Sequence, residues 1–128
     1  MNHLEVQTII KGVYLVITPD ANNPKILDIA KDVLSNQIGD YINDNDIVIA
    51  RDEMSNKRMI ENIKLLSDNV VEKFHMIINE LDESIQNRKS NLYCAELNKV
   101  LLKKKTGIFS TPNINLLLKI EKKFGWDK

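Results

Sequence analysis

The stretch between Gly39 and Gly107 contains neither glycine nor proline, and this feature restricts the possible folds most strongly. Glycine and proline most often interrupt regular structure, so their absence favours long regular elements over a turn-rich β protein. Within the stretch, apolar residues recur at intervals of three and four, which is the period of an α-helix. They are Met59, Ile63, Leu66, Val70, Phe74, Ile77 and Leu81. The pattern predicts one long central helix over about 55–87, a rod of roughly 50 Å.

Three further helices are predicted by signals at their ends. The segment 24–38 follows an asparagine that can cap a helix, opens with a proline, and precedes Gly39, which can adopt the left-handed conformation after a last turn. A threonine, a proline and a glycine bound the segment 112–124 in the same way. The segment 91–105 ends in three lysines, which suit the negative end of a helix dipole, and Gly107 follows as a stop signal.

The N-terminal segment permits two interpretations. The apolar residues of 3–17 fit one face of a helix, yet its VYLVIT run is rich in β-branched residues, which favour a strand. Residues 46–50 show the same ambiguity. We favour a helix for 3–17, and a minor two-stranded β element formed by 13–17 and 47–50 is the alternative. Together the segments predict a mainly α protein in one domain over 1–128, an irregular bundle of four or five helices.

The composition bears on the location of the protein and on the ligands that it could bind. The chain holds one cysteine, Cys94, so it forms no internal disulfide, and we expect a reducing, cytoplasmic location. The longest uninterrupted apolar run, Val13–Ile17, is far shorter than the ~18 residues that indicate a membrane span. No membrane association, cofactor or small-molecule ligand is predicted, because the chain lacks the glycine-rich loops and ligand spacings that such sites use.

No catalytic and no metal-binding residue is predicted either. His75 falls opposite the apolar stripe of the long helix and is interpreted as a solvated surface histidine. Cys94 lies within an apolar stripe, where a free cysteine behaves as a small hydrophobic residue. The acidic run over 40–53 lacks the glycine and the alternating oxygen ligands of a calcium loop. We interpret this run as a solvated loop, or as one half of a contact with the lysine-rich end of the chain.

A formal net charge of zero conceals a split between the two parts of the chain. Residues 1–87 contain 8 Lys and Arg against 15 Asp and Glu, a net charge of −7. Residues 88–128 contain 10 Lys and Arg against 3 Asp and Glu, a net charge of +7. Such a split suggests either a polyanionic partner or charge-complementary packing.

The function that we expect from the sequence is that of a non-enzymatic interaction protein. Such an adaptor, inhibitor or regulator acts through protein–protein contacts, here with self-association as a homodimer. The expectation rests on the helix length, on the charge split and on the absence of catalytic motifs. The candidate interface residues are Leu65 and Met76, on the side of the long helix away from its stripe, and Trp126 near the C-terminus.

The alternative is a DNA-binding regulator. The Lys-rich pair of segments over about 91–124 loosely resembles a helix-turn-helix, in which the second helix enters the major groove. Lysine would neutralise phosphates and asparagine could read adenine. The candidate residues are Lys99, Lys103, Asn115, Lys119 and Lys122. The connection is longer than the usual turn and both segments lack arginine, so a solvated lysine surface is the simpler explanation.

Overall fold

The computed structural model describes residues 1–20, 22–52 and 54–105, and these residues are mainly helical, which confirms the predicted class. Six α-helices lie within the described ranges, so the predicted count of four or five is too low: α1 His3–Ile17, α2 Pro24–Ile38, α3 Asp44–Asp52, α4 Asn56–Ile63, α5 Asp68–Ser84 and α6 Arg88–Lys105. Two short 3₁₀ turns follow α1 and α2. None of these helices is long and apolar enough to cross a membrane. The predicted helix 112–124 lies outside the described residues, and the single domain over the whole chain stays a prediction.

Helix α1 lies at the centre of the fold, in contact with each of the other five described helices. It begins at a reciprocal cap, in which the Glu5 backbone N–H donates to Asn2 Oδ1 at 2.9 Å and the Asn2 N–H donates to Glu5 Oε1 at 3.0 Å. Eleven of its residues, between Val6 and Ile17, are buried. A helix that is covered on all sides is apolar on all sides. The predicted helix over 3–17 is therefore confirmed, and its strand-like composition reflects full burial.

The predicted β element is wrong. Residues 13–17 form the last turns of α1, and residues 47–50 lie inside α3. Helix α3 also begins at a reciprocal cap: the Asp46 N–H donates to Asn43 Oδ1 at 3.0 Å, and the Asn43 N–H donates to Asp46 Oδ2 at 3.3 Å. This local signal outweighs the weak strand preference of the β-branched residues that follow it.

The predicted single helix over 55–87 is also wrong, because a turn divides it into α4 and α5. After Ile63 the backbone makes i to i+3 hydrogen bonds, from the N–H groups of Lys64, Leu65 and Leu66 to the carbonyls three residues earlier. Such bonds tighten the end of a helix. Ser67 then accepts a hydrogen bond from the Val70 N–H at 3.4 Å and so caps α5.

Periodicity could not detect this break, because the apolar spacing continues across it. Ile63, Leu66 and Val70 are all buried, at intervals of three and four, although the turn lies between the first and the last of them. The relevant signal is the pair Ser67–Asp68, a capping hydroxyl followed by an acid in the first turn.

The ends of α2 and α6 refine two other predictions. Helix α2 has the predicted bounds, 24–38, but Gly39 has a φ of −54° and continues into a 3₁₀ turn, so the left-handed conformation predicted for it is wrong. Helix α6 begins at Arg88, three residues before the predicted start, because Asn87 Oδ1 accepts a hydrogen bond from the Lys89 N–H at 2.9 Å.

One glycine sets the distance between the central helix and its neighbours. A Cβ atom at Gly12 would lie 2.3 Å from Phe74 Cζ and 3.3 Å from Leu97 Cδ2. Phe74 and Leu97 are completely buried. Helix α1 therefore approaches α5 and α6 more closely than any larger residue at this position would allow.

Candidate interaction surface on helices α5 and α6

Helices α5 and α6 form an antiparallel pair joined by polar side chains. Asn98 lies beside the middle of α5, within hydrogen-bonding distance of His75 and Asn79, whereas Asn91 donates to Asp82 Oδ1 at 2.7 Å nearer the end of α5. Residue numbers therefore rise along α6 as they fall along α5. This arrangement fixes which faces of the two helices remain for contact with other groups.

The central contact is a closed ring of three side chains. Asn98 Nδ2 donates to Asn79 Oδ1 at 2.8 Å, Asn79 Nδ2 lies 3.2 Å from His75 Nε2, and His75 Nδ1 lies 3.0 Å from Asn98 Oδ1. A neutral imidazole with its proton on Nδ1 satisfies all three contacts at once. His75 is half-buried in this ring, so it is only partly solvated, unlike the solvated surface histidine that the sequence predicted. The ring joins α5 to α6 and does not present a free base.

The outer face of α6 carries an exposed row of residues that we call the α6 stripe. Its members are spaced by three, four and three residues, so they share one side of the helix: Leu92, Ala95, Lys99 and Leu102. Leu92 and Leu102 are each 55% exposed. The opposite side of the same helix holds the buried residues Cys94, Leu97 and Leu101. Two large apolar side chains of α6 thus lie outside the core.

Of the three interface candidates from the sequence, two lie within the described residues and one lies outside them. Leu65 is 72% exposed in the turn between α4 and α5, and Met76 is 48% exposed on α5. Trp126 lies outside the described residues. The sequence predicted only Lys99 of the α6 stripe, as a nucleic-acid candidate, and the exposure of Leu92 and Leu102 was missed. A complete helical wheel would have placed Leu92 and Leu102 opposite the buried side.

Of the five nucleic-acid candidates, two lie within the described residues and three lie outside them. Lys99 is exposed on α6, with its Nζ 3.2 Å from Glu96 Oε1, and Lys103 is exposed near the end of that helix. The other three, Asn115, Lys119 and Lys122, lie outside the described residues. The structure therefore describes one helix of the predicted pair, and DNA binding stays a prediction.

Opposite net charges meet where α5 packs on α6. Helix α5 contains five acids and one lysine, a net charge of −4, and α6 contains six cations and one acid, a net charge of +5. Within the described residues, two helices of opposite net charge therefore pack on each other in one chain. This arrangement is compatible with charge-complementary packing, one of the two explanations predicted from the sequence.

Cys94 is unsuited to nucleophilic chemistry. Burial, and next the negative charge of Asp82, raise the pKa of its thiol to about 12. The thiolate is the reactive form of cysteine, and at neutral pH this thiol stays protonated. The interpretation of Cys94 as a small buried hydrophobic residue agrees with its complete burial.

The acidic run over 40–53 is not wholly a solvated loop. Asp46 is 2% exposed, and its Oδ1 lies 2.7 Å from Nδ1 of the exposed His3, an ion-pair distance without good hydrogen-bond alignment. Gln7 Nε2 lies 2.7 Å from the other ring nitrogen of His3. Asp46 thus ties α3 to the start of α1. Among the described residues, no group of three acidic, histidine or cysteine side chains is placed to hold a metal ion.

A second polar contact ties the α1–α2 connection to α6. Asp20 accepts hydrogen bonds from Asn87 Nδ2, at 2.6 Å, and from the hydroxyl of the buried Ser90. Its carboxylate therefore lies at the N-terminus of α6, where the helix dipole favours negative charge. The partners are 67 and 70 residues apart in the chain, and no local pattern predicts such a contact.

One cleft lies between the start of α2 and the end of α5. Its volume is about 320 Å³, and its lining residues are Asn23, Lys25, Ile26, Ile29, Ser84 and Gln86. Among its described lining residues, Lys25 is the one titratable side chain, and none of them is an acid, a histidine or a cysteine. The exposed apolar residues of the helices are the stronger functional feature.

Comparisons of the chain with protein-family models, with curated proteins and with solved structures find no match. The function is therefore inferred from the residues of this chain alone.

Proposed function

We propose that this chain is a small, non-enzymatic helical interaction protein, an adaptor, inhibitor or regulator that acts through protein–protein contacts and associates with a second copy of itself. The observation that carries the proposal is the exposure of Leu65, whose side chain lies 72% in solvent in the α4–α5 turn. Met76 adds a second exposed apolar side chain further along the same part of the chain. Removing one such side chain from water contributes about 1.5–3 kcal/mol.

This function does not require a single long helix. A single helix over 55–87 would have left part of its apolar stripe uncovered, but α4 and α5 bury that stripe on both sides of the turn. What supports an interface is instead the small set of large apolar side chains that the described fold leaves outside its core. They are Tyr41, Leu65, Met76, Leu92 and Leu102.

The non-enzymatic part of the proposal is supported by the partners of the reactive residues. His75 belongs to the ring that joins α5 to α6, and Cys94 is buried with a raised pKa. A nucleophile and a base would have to meet in one accessible site. These two residues have packing roles instead.

Light scattering after size exclusion, over a dilution series, tests the proposal. We expect the wild-type chain to form a dimer that dissociates on dilution, and Leu65→Glu and Met76→Glu to stay monomeric at every concentration. Asn36→Glu, at an exposed polar position of α2, is the matched control and should dimerise like the wild type. A wild-type chain that is monomeric throughout the series would refute self-association.

A gel-shift titration with duplex DNA distinguishes the alternative. Retardation of DNA that falls steeply as salt rises, and that Lys99→Glu and Lys103→Glu weaken, would favour the DNA-binding regulator. The interaction protein that we propose causes no retardation at physiological salt.

A further inference from the structure

Helix α5 carries an exposed row of residues beside the α6 stripe, and we call it the α5 stripe. Its members recur at intervals of three and four residues, so they share one side of the helix: Asn69, Glu72, Met76, Asn79 and Glu83. Met76, in the middle of the row, is 48% exposed. The opposite side of α5 holds completely buried residues, among them Phe74 and Leu81.

The two stripes lie on the same outer side of the α5–α6 pair. Helix α5 meets α6 along one edge, through His75, and meets α2 along the other edge, where Gln37 donates to Glu80 Oε2 at 2.7 Å. Its buried side faces the core, so the α5 stripe faces outward, as the α6 stripe does. Two adjacent helices of this length form a face about 25 Å long and about 20 Å wide.

The two halves of this face carry opposite charges. The charged residues that α5 exposes are all acids: Asp68, Glu72, Asp82 and Glu83. Over 88–104 of α6, the charged residues that are exposed are all cations: Arg88, Lys89, Lys99 and Lys103. Each half also exposes large apolar side chains, Met76 on α5 and both leucines of the α6 stripe. The face is therefore complementary to a copy of itself in which the acidic half meets the basic half.

We propose that the α5 and α6 stripes together form the interface of a two-fold symmetric dimer, in which α5 of each copy packs on α6 of the other. The occupant of the α6 stripe is thus a second copy of this chain. The inference rests on the self-association proposed above and names the surface that performs it.

Charge selects the direction of the two-fold axis. An axis in the interface perpendicular to the helices places α5 on α5 and α6 on α6, so like charges meet. An axis parallel to the helices places α5 on α6 of the second copy, so opposite charges meet. Because α5 and α6 are antiparallel within one chain, the pairs across this interface are antiparallel as well. The product is an antiparallel four-helix bundle in which every contact occurs twice.

The register of the dimer follows from contacts within one chain. A two-fold rotation about an axis parallel to the helices leaves each residue at the same height along the bundle. Asn98 lies within hydrogen-bonding distance of both His75 and Asn79, so it is level with residue 77 of α5. Since the helices are antiparallel, a step back along α5 corresponds to a step forward along α6.

This register pairs chemically matched groups. Glu72, five residues before the reference level, lies opposite Lys103 of the second copy, so a carboxylate meets an ammonium group. Met76 lies at a height between Ala95 and Leu102 of the second copy. The small Ala95 leaves room for the thioether, and Leu102 covers it with apolar surface. Each contact is made a second time by the symmetry.

The size of the face suits a reversible dimer. Two copies of a face of about 25 by 20 Å bury about 1,000 Å² in total, at the low end of specific protein interfaces. Such a dimer dissociates on dilution.

The same charges disfavour a nucleic acid on this face. Packed helices lie about 8–10 Å apart, so phosphates drawn to the lysines of α6 would approach the exposed acids of α5. A polyanion would also leave Leu92 and Leu102 uncovered. A second copy neutralises both halves of the face and covers the leucines.

Two charge-reversed chains test the face. The basic chain carries Glu72→Lys with Glu83→Lys, and the acidic chain carries Arg88→Glu with Lys103→Glu, all at exposed positions. Each chain alone places like charges across the interface, which should weaken its homodimer by about tenfold or more. An equimolar mixture restores every opposite pair and should form a dimer about as tightly as the wild type. Light scattering after size exclusion, over a dilution series, measures all three samples.

The matched control carries Asp28→Lys with Asp32→Lys, which change the net charge as much as the basic chain does but lie at exposed positions of α2. This control should dimerise like the wild type. Circular dichroism verifies that the variant chains keep their helices.

Oxidative cross-linking tests the direction of the axis with smaller changes. Chains with Met76→Cys, mixed with chains with Lys99→Cys, should form disulfide-linked pairs, because the two positions lie at the same height on facing helices. Chains with Met76→Cys alone should form few, since the two copies of α5 lie diagonally across the bundle. The native Cys94 is buried and does not take part. This measurement tests the same face if a charge-reversed chain loses its helices.

Three results would overturn the proposal. Charge-reversed chains that each dimerise like the wild type, while Leu65→Glu stays monomeric, would remove this face and leave the proposed self-association intact. A wild type that stays monomeric at every concentration would remove both, and retardation of duplex DNA by that monomer would assign the lysines to the alternative function. Cross-linking of position 76 to itself in preference to position 99 would contradict the pairing of α5 with α6.

Discussion

Helix α1 and helix α6 use apolar side chains in different ways. Leu15 of α1 is 3% exposed in a helix that contacts every other described helix, whereas Leu92 of α6 is 55% exposed on the outer side of the α5–α6 pair. Both residues belong to regular helices with capping side chains at their starts. This difference shows that membership of a regular helix does not determine the role of a leucine, whereas its burial by neighbouring helices does. We therefore assign buried apolar residues to stability and exposed ones to contact.

The largest expected effect compares two Leu→Ala substitutions. Leu97→Ala removes a completely buried side chain of α6, and we expect it to lower the free energy of unfolding by about 2–5 kcal/mol. Leu65→Ala removes an exposed one and should change it by about 0.5 kcal/mol or less. Urea unfolding of dilute, monomeric samples measures both. Equal losses would show that exposure does not separate the two roles.

The next effect concerns the close approach of α1 to its neighbours. Gly12→Ala places a methyl group against Phe74, and we expect a loss of about 1–3 kcal/mol in the free energy of unfolding. The double variant Gly12→Ala with Phe74→Leu should be more stable than the sum of the two single losses predicts, because the smaller side chain makes room. Additive losses would contradict the contact.

A smaller effect is expected at the polar contact between Asp20 and α6. Ser90→Ala removes a buried hydroxyl that donates to the Asp20 carboxylate, which should reduce the free energy of unfolding by about 1–2 kcal/mol. Ser84→Ala, at an exposed position of α5, is the control and should leave the stability unchanged. A similar stability for both variants would mean that the Asp20 contact contributes nothing.

Near neutral pH the ionisation of Cys94 has the smallest effect on stability, because the thiol is protonated in both the folded and the unfolded chain, so its reactivity is the sharper measurement. Alkylation of the native protein near neutral pH should proceed only through opening of the fold, far more slowly than alkylation of Lys89→Cys on the exposed side of the same helix. The ordinary thiol pKa of 9.0 applies to the unfolded chain, and the folded value is about 12. Between these values the unfolded thiol ionises while the folded one does not, so this group lowers stability as pH rises from 9.0 towards 12. Equal alkylation rates at the two positions would contradict the burial of Cys94.

Local signals predicted α2 and the end of α6, whereas the caps of α3 and α5 did not lead to a prediction of those helices. The cap and the proline at the start of 24–38 gave α2 its observed bounds, and the C-terminal lysines marked α6. The turn at 64–67 escaped prediction because an apolar stripe continues when two helices bury the same side against one core. The strand-like segments 13–17 and 47–50 were ambiguous because β-branched residues suit both a strand and a fully buried helix.

The candidate surface was predicted only in part. The exposure of Leu65 and Met76 could be anticipated from the helical period, even though the single rod was wrong. The polar contacts of α6 could not be predicted, because His75 of α5 meets Asn98, and Asp20 after α1 meets Ser90, through tertiary packing across 23 and 70 residues. Sequence patterns report which residues share a face and do not report which face finds a neighbour.

The most direct measurement of the central claim is a paired one on Leu65→Glu, in which urea unfolding and light scattering are recorded on the same samples. Our account predicts that the unfolding transition of the dilute, monomeric variant coincides with that of the wild type, while association of the variant at high concentration is lost. A transition displaced to much lower urea would instead place Leu65 in the stabilising core, and a variant that still associates would remove it from the interface.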